Sequence, residues 1–185
     1  HTKWQGQCAG CGEWNTLEQV LGVPVVRGRS GSGWAGQVST VTRLAEVGLD
    51  AEPRIATGMR ELDRVLGGGL VPGSVLLIGG NPGAGKSTLL LQVSCDLAAR
   101  LGVLYVTGEE SLQQIALRAR RLELPQEHLN LAAETRVAAI LAHAGREKPG
   151  LVVVDSVQTL RTEAVEGAPG GVTQVREATA RLVRF

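Results

Sequence analysis

The sequence predicts an α/β domain in which a mainly parallel sheet is flanked by helices. Short runs rich in Val, Ile and Leu alternate with helical stretches over most of the chain. Unbroken apolar runs are typical of strands that are buried on both faces, and their alternation with helices indicates a parallel sheet. With 43% hydrophobic and 20% charged residues among 185, the composition is that of a globular protein rather than a disordered one.

The predicted elements follow one another in a regular order. Strands are predicted at residues 74–80, 103–107, 129–132 and 151–154, and helices at 86–101, 111–122 and 135–146, with a last helix from about residue 173. In the third of these helices, one stripe is apolar, which is the face that a sheet would bury: Val137, Ile140, Leu141 and Ala144. Residues 161–171 have no hydrophobic period and are rich in Gly, so they predict a mobile loop.

Composition also divides the chain into three parts. Residues 1–20 are dense in Trp, Gly and Cys and predict a small knuckle, residues 21–54 form a Gly/Ser-containing linker, and residues 55–185 hold the α/β core. Cys8 and Cys11 make one Cys-x-x-Cys pair in the knuckle. Such a pair favours a reducing compartment and a metal or redox motif over a disulfide framework.

Charge and aromatic content exclude some classes of function. The 19 Lys and Arg residues nearly balance the 18 Asp and Glu residues, so no overall basic field attracts nucleic acid. Aromatic residues make up only 3%, which argues against a sheet that stacks nucleic-acid bases. The longest apolar runs, 75–78 and 151–154, are far shorter than the roughly 20 residues that span a bilayer, and no secretory signal follows His1. We therefore expect a soluble, cytoplasmic protein without a membrane partner.

The most specific motif is a phosphate-binding loop. Residues 80–87 match the pattern G-x-x-x-x-G-K-[ST] between a predicted strand and a predicted helix. Glycines allow successive N–H groups to converge on phosphate oxygens, and the helix adds the positive end of its dipole. Lys86 is predicted to reach the β- and γ-phosphates, and the Ser87 hydroxyl to ligate Mg²⁺. The alternative is a helix-capping turn that binds no ligand.

The complete set of predicted nucleotide contacts consists of the motif and the residue after it: Gly80, Asn81, Pro82, Gly83, Ala84, Gly85, Lys86, Ser87 and Thr88.

Carboxylates at two other predicted strand ends complete the candidate site. Asp155 follows the run 151–154, at the end of a buried strand where α/β sheets bind ligands, and is the second candidate Mg²⁺ ligand. Glu109 and, as second choice, Glu110 are candidates for activating the attacking water. Asp155 could instead cap a turn, and the two glutamates could simply favour the positive end of the next helix. Gln158 is a sensor of the γ-phosphate or of a bound polymer, or else a polar surface residue.

The sequence resembles a known family of ATPases. Residues 56–74, which run directly into the phosphate loop, look like the segment leading into the RecA/KaiC-type ATPase core. Three further segments extend the likeness: Gly-Glu-Glu-Ser at 108–111, Asp-Ser-Val-Gln-Thr at 155–159 and the knuckle sequence at 3–16. Together they make the chain similar to the bacterial RadA (Sms) family of DNA repair and recombination proteins, over nearly its whole length.

The resemblance implies a RecA-like P-loop ATPase core that uses ATP and Mg²⁺, binds single-stranded DNA, forms hexameric rings and drives branch migration or unwinding, with a recombinase as a partner. Lys86, Ser87 and Asp155 fall on the family's nucleotide and Mg²⁺ positions, and Glu109 on its water-activating position. The alternative within the superfamily is a KaiC-like regulatory ATPase, whose nucleotide state controls protein assembly without DNA.

The resemblance also implies elements that this chain lacks. The family knuckle has two Cys-x-x-Cys pairs, of which only Cys8 and Cys11 are present, so the chain carries a partial zinc site to which His1 could contribute. The family's Lys-Asn-Arg-Phe-Gly motif and its C-terminal Lon-protease-like domain are expected beyond Phe185.

Two further segments are candidates for contact with DNA. Arg118, Arg120 and Arg121 form a basic cluster at the end of a predicted helix, where complementing the helix dipole is the alternative interpretation. The loop 161–171 is a candidate by the resemblance, although it carries Glu163 and Glu166.

Overall fold

A computed structural model describes residues 43–46 and 53–185 of the chain. The predicted knuckle of residues 1–20, with Cys8 and Cys11, lies outside these described residues, as does most of the predicted linker. Where the structure describes the chain, the helices are α1 (Arg60–Val65), α2 (Lys86–Leu101), α3 (Leu112–Arg121), α4 (Val137–Glu147) and α5 (Val172–Val183), with short 3-10 helices at Leu44–Glu46 and Val157–Thr159.

The sheet of the described residues has three parallel strands. These are β1 (Val103–Thr107), β2 (Leu129–Ala133) and β3 (Leu151–Asp155), in the order β2-β1-β3. Thr107 is in register with Ala133 on one side and with Asp155 on the other, so the three strands end level at one edge. The structure therefore confirms the predicted α/β class with its parallel sheet.

Helices cover both faces of the central strand β1, whose five residues are all buried. On one face Val103 and Tyr105 pack in a cluster with residues of α2 and α3. On the other face Leu104 and Val106 pack in a second cluster with residues of α4 and α5. Successive side chains of a strand point to opposite faces, so an unbroken apolar run is what two covered faces require.

The predicted strand at residues 74–80 is wrong. The segment is extended but forms no strand, and Val75 and Leu77 are 64% and 83% exposed. A strand exists only where a neighbour accepts and donates its backbone hydrogen bonds. Within the described residues β3 pairs with β1 alone, and no strand pairs with residues 74–80. The run is apolar, but the described part of the chain offers it no partner strand.

Helix α1 is an element that the sequence analysis missed. Asp63 accepts hydrogen bonds from the backbone N–H of Thr57 at 2.7 Å and from its hydroxyl at 2.8 Å. These bonds lower the pKa of the Asp63 carboxyl below its usual value. They also fix the turn through Gly58, whose φ of +88° favours glycine, and so place the start of the helix.

The loop predicted at residues 161–171 is tied down by one buried side chain. Gln174 in α5 is 4% exposed. Its side-chain carbonyl accepts from the backbone N–H of Thr162 at 2.8 Å, and its amide donates to the carbonyls of Val165 at 2.7 Å and Thr162 at 3.1 Å. The first half of the loop is therefore anchored to α5. The missing hydrophobic period of residues 161–171 gave no sign of this contact. Its predicted mobility stays a prediction.

In residues 43–46 and 53–185, none of the helices combines the length and the apolar character that crossing a membrane requires.

Candidate nucleotide-binding site

The predicted phosphate loop is a tight turn that leads directly into α2. Gly83 and Gly85 have φ values of +80° and +83°, a conformation that residues with a side chain rarely adopt. An added Cβ at either position would meet no atom within 4 Å, so glycine is needed here for its backbone conformation rather than for space. Gly85 is also the residue that caps the start of α2.

Lys86, the first residue of α2, folds back over this turn. Its ammonium donates hydrogen bonds to the carbonyl of Gly80 at 2.8 Å and to that of Asn81 at 2.9 Å. Ser87 and Thr88 follow in the first turn of the helix and are half-buried, whereas Asn81, Pro82 and Ala84 are exposed. The structure thus gathers all nine predicted contacts around the N-terminus of one helix.

The chemistry of this turn fits a phosphate group. The N–H groups of Gly83 and Gly85 form no backbone hydrogen bond in the described part of the chain. Unpaired N–H groups, a lysine ammonium and the positive end of a helix of 16 residues all favour an anion. Oxygen ligands suitable for Mg²⁺ are the Ser87 hydroxyl and the Asp155 carboxylate.

Asp155 is the last residue of β3 and lies at the edge where the three strands end. The hydroxyl of Tyr105 donates a hydrogen bond to its Oδ2 at 2.7 Å. Burial and this hydrogen bond both raise the pKa of the Tyr105 phenol above its usual range, so the phenol keeps its proton. Tyr105 is therefore the donor of this hydrogen bond, and the Asp155 carboxylate is its acceptor. No sequence motif marks Tyr105, although a tyrosine in a buried strand needs a polar partner.

Glu109 follows the end of β1, which is joined to the end of β3. The Ser156 hydroxyl donates to Oε1 of Glu109 at 2.6 Å. The backbone N–H of Gly108 donates to the carbonyl of Asp155 at 3.0 Å. A Cβ at Gly108 would lie 1.9 Å from Oγ1 of Thr159, so only glycine allows this close approach. The structure thus brings Glu109, the first candidate for water activation, to the residue that follows the predicted Mg²⁺ ligand.

Glu110 is engaged elsewhere. Its carboxylate forms an ion pair with Arg118 of α3, and the two side chains are 28% and 20% exposed. This hydrogen-bonded pairing raises the pKa of the Arg118 guanidinium. The start of α3 is capped by Ser111 and Gln114, which bond reciprocally through side chain and backbone. In the structure the Glu110 carboxylate is therefore paired with Arg118.

The remaining candidate residues, Gln158 and the arginine cluster of α3, form no hydrogen bond with Asp155 or Glu109 in the described part of the chain. Gln158 is exposed in the short 3-10 helix that follows Asp155. Arg120 and Arg121 are exposed at the end of α3, while Arg118 of the same cluster points to Glu110. Among the described residues there is no group of three or more His, Cys, Asp or Glu side chains that could hold a metal ion. Mg²⁺ sites on nucleotides need fewer protein ligands, because phosphate oxygens and water supply the others.

Comparison with known proteins identifies the family of the chain. Residues 40–185 match the family described as AAA domain. The chain is 56% identical over 183 residues to the DNA repair protein RadA of Pseudomonas aeruginosa, covering 99% of this chain and 40% of that protein. It is 52% identical over 190 residues to DNA repair protein RadA of Escherichia coli, covering 100% of this chain and 41% of that protein.

The RadA protein of Bacillus subtilis is 44% identical over 186 residues, which cover 99% of this chain and 41% of that protein. The chain therefore spans about 40% of the length of the curated relatives that it matches. Matches at this level of identity, over essentially every residue of the chain, exceed what a shared fold alone would produce. The chain belongs to the RadA family of DNA repair proteins.

Proposed function

We propose that this chain is the nucleotide-binding core of a DNA repair ATPase and that it hydrolyses ATP with the help of Mg²⁺. The observation that carries the proposal is the hydrogen bond to Glu109 from Ser156, the residue that follows Asp155 at the sheet edge. A loop that merely bound phosphate would need neither carboxylate. The family match over residues 40–185 supports the same reaction class.

The residues of the phosphate loop would bind the triphosphate. The N–H groups of Gly83 and Gly85 would donate to phosphate oxygens, as would the first N–H groups of α2. Lys86 would exchange its two carbonyl partners, Gly80 and Asn81, for the β- and γ-phosphates. The ammonium then keeps its hydrogen bonds and gains an opposite charge.

Ser87 and Asp155 are the residues that would hold Mg²⁺, through a hydroxyl and a carboxylate oxygen. When bound, Mg²⁺ neutralises charge on the β- and γ-phosphate oxygens. Asp155 already gives one carboxylate oxygen to the Tyr105 hydroxyl, which leaves its other oxygen for this role.

Glu109 would orient and deprotonate the attacking water. The water oxygen attacks the γ-phosphorus, its proton passes to the Glu109 carboxylate, and the bond to the β,γ-bridging oxygen breaks to release ADP and phosphate. Glu109 is exposed, and the bond from Ser156 engages only one of its oxygens. Among the described residues, no donor engages the second oxygen, which would accept the proton.

The repair function extends beyond this chain, and the names of the relatives support it. We propose that single-stranded DNA stimulates ATP hydrolysis and that the energy drives branch migration or unwinding, in a cytoplasmic hexameric ring that works with a recombinase. We further propose residues 1–20 as part of a zinc knuckle with Cys8 and Cys11 as ligands, residues 21–54 as a linker and residues 55–185 as the ATPase core. A KaiC-like regulator is not favoured, because the matched relatives are named as repair proteins.

The test is ATP turnover by the intact protein with and without single-stranded DNA. We expect turnover to rise with DNA and to fall by about 10²-fold or more in Lys86→Ala and in Glu109→Gln, because each removes a group acting on the transferred phosphoryl or the water. Glu147→Gln is the matched control, since Glu147 is a carboxylate on α4 that pairs with Arg146. It should leave turnover unchanged.

Two results would contradict the proposal in different parts. If Lys86→Ala turned over ATP as fast as the unaltered protein, the assignment of the phosphate loop as the nucleotide site would be contradicted. If turnover depended on Lys86 but did not change with DNA over a range of salt concentrations, the proposed ATPase activity would stand and the proposed stimulation by DNA would be contradicted.

A further inference from the structure

A buried phenol in the central strand reaches the candidate Mg²⁺ site. Tyr105 is 1% exposed, and its ring lies in the apolar cluster that contains Leu91 and Ile115. Its hydroxyl is within 2.7 Å of Oδ2 of Asp155. A hydroxyl at the edge of such a cluster is costly to bury without a partner, and here its partner is the carboxylate proposed to hold the metal.

The strand register explains how a residue of β1 serves the end of β3. Tyr105 is level with Val153, and Asp155 lies two residues further along β3 on the same face of the sheet. The tyrosine ring spans this offset, with its hydroxyl at the strand edge. Because neighbouring side chains pack around the ring, the donor is held in a fixed position rather than on a mobile chain.

Arg118 does not compete for this position. Its positive charge is felt by both Tyr105 and Asp155, but its guanidinium is paired with Glu110. In the described part of the chain, Tyr105 is the side chain that donates a hydrogen bond to Asp155. One neutral donor thus orients the carboxylate without cancelling its charge.

We propose that Tyr105 is a positioning residue for metal binding, whose hydroxyl fixes the Asp155 carboxylate so that its second oxygen is presented to the Mg²⁺–nucleotide complex. The proposal rests on the assignment of Asp155 as a metal-binding residue in the proposed function. It adds a group that touches neither nucleotide nor metal and acts through Asp155. Partners that hold a ligating carboxylate in this way change metal affinity rather than nucleotide recognition.

The test compares Tyr105→Phe with the unaltered intact protein. The substitution keeps the ring and removes only the hydroxyl. Binding of Mn²⁺ to the protein saturated with ATP or a non-hydrolysable ATP analogue, followed by electron paramagnetic resonance, should weaken by about tenfold. The Mg²⁺ concentration for half-maximal ATP turnover should rise by a similar factor, while turnover and the KM for ATP at saturating Mg²⁺ stay within about twofold.

Two matched variants make the result specific. Ser94→Ala removes another fully buried hydroxyl, which donates to the Leu90 carbonyl at 2.6 Å within α2, and should leave Mn²⁺ affinity unchanged. Asp155→Asn should weaken Mn²⁺ binding more than Tyr105→Phe does. Thermal unfolding of each variant reports its fold independently of the metal.

The outcomes separate this inference from the proposed function. Unchanged Mn²⁺ affinity in Tyr105→Phe, together with a clear loss in Asp155→Asn, would overturn the role of Tyr105 and keep the Mg²⁺ site. Unchanged Mn²⁺ affinity in Asp155→Asn would overturn both. Because Mn²⁺ binding needs no turnover, the role of Tyr105 is decided even if the protein hydrolyses no ATP.

Discussion

Ser156 and Glu109 are joined by a hydrogen bond of 2.6 Å between the serine hydroxyl and Oε1 of the glutamate. The two residues are 47 positions apart in the sequence and follow neighbouring parallel strands. Glu109 is exposed, and an exposed glutamate otherwise samples several rotamers. The serine therefore restricts the proposed water-activating carboxylate to the end of β3, where Asp155 is the preceding residue.

Replacing Ser156 by alanine should slow ATP hydrolysis without weakening nucleotide binding. A hydrogen bond to a charged group contributes about 1.5 kcal/mol or more, so we expect single-turnover hydrolysis to fall by about tenfold. Binding of a fluorescent ATP analogue should stay within about twofold, because Ser156 lies outside the phosphate loop. A turnover rate equal to that of the unaltered protein, with Glu109→Gln inactive, would show that Glu109 needs no such support.

The ion pair of Glu110 and Arg118 predicts that a substitution of Arg118 reverses the effect of a substitution of Glu110. Glu110→Gln leaves the Arg118 guanidinium, which is 20% exposed, without its ion-pair partner close to Asp155. A free cation there would compete with Mg²⁺, so the Mg²⁺ concentration for half-maximal turnover should rise by about three- to tenfold. The double variant Glu110→Gln/Arg118→Gln should return it to near the original value, because the unpaired charge is gone.

The same experiment decides between the two glutamates. If Glu110 were the residue that activates water, Glu110→Gln would lose turnover at every Mg²⁺ concentration, and removing Arg118 would restore nothing. Glu109→Gln provides the comparison, since we expect its turnover to be low whatever the Mg²⁺ concentration.

Most of the elements could be predicted from the sequence, because their determinants are local. The strand at Val103–Thr107 and the helix at Lys86–Leu101 have the predicted bounds, since an apolar run and a glycine-flanked helical period mark them. The strand at residues 74–80 was wrong, because strand formation depends on a neighbour as well as on composition. Helix α1 was missed because it has only six residues and depends on the contact between Thr57 and Asp63.

The residues of the candidate site also differ in whether the sequence alone could identify them. A contiguous motif identifies Lys86 and the phosphate loop, and strand-end positions point to Asp155 and Glu109. The supporting groups could not be found in this way, because Tyr105 lies 50 residues from Asp155 in the sequence. Which side chains meet depends on strand order and register, and these emerge only when the sheet has formed.

The hydrogen bonds of Gln174 are expected to anchor the loop that follows Thr159. Gln174→Ala removes bonds to the backbone of Thr162, Val165 and Gly167 and should raise hydrogen exchange of residues 162–167 by about tenfold or more. Mass spectrometry after proteolysis measures this directly. The exposed Thr173→Ala is the neighbouring control and should leave exchange unchanged. Equal exchange in the two variants would mean that the loop is held by other contacts.

The turn between β2 and α4 contains a carboxylate that links stability to acid pH. Glu134 accepts hydrogen bonds from the side chain and backbone N–H of Arg136 and from the backbone N–H of Thr135. The side-chain bond from Arg136 is the largest cause that lowers the pKa of Glu134 to about 2, from its usual 4.5. The backbone N–H of Glu134 also donates to the carbonyl of Thr107, so the turn is fixed to the end of β1.

The lowered pKa of Glu134 gives the stability contribution a defined sign. The unfolded chain binds a proton at about pH 4.5 and the folded chain only near pH 2, so the contribution is complete above pH 4.5 and is lost as the pH falls towards 2. Glu134→Gln should therefore lower the thermal unfolding midpoint at pH 6, and the difference from the unaltered protein should shrink steadily between pH 4.5 and 2.5. Glu147→Gln, on an exposed pair, should give a small difference. A constant difference across this pH range would mean that Glu134 acts through packing rather than through its charge.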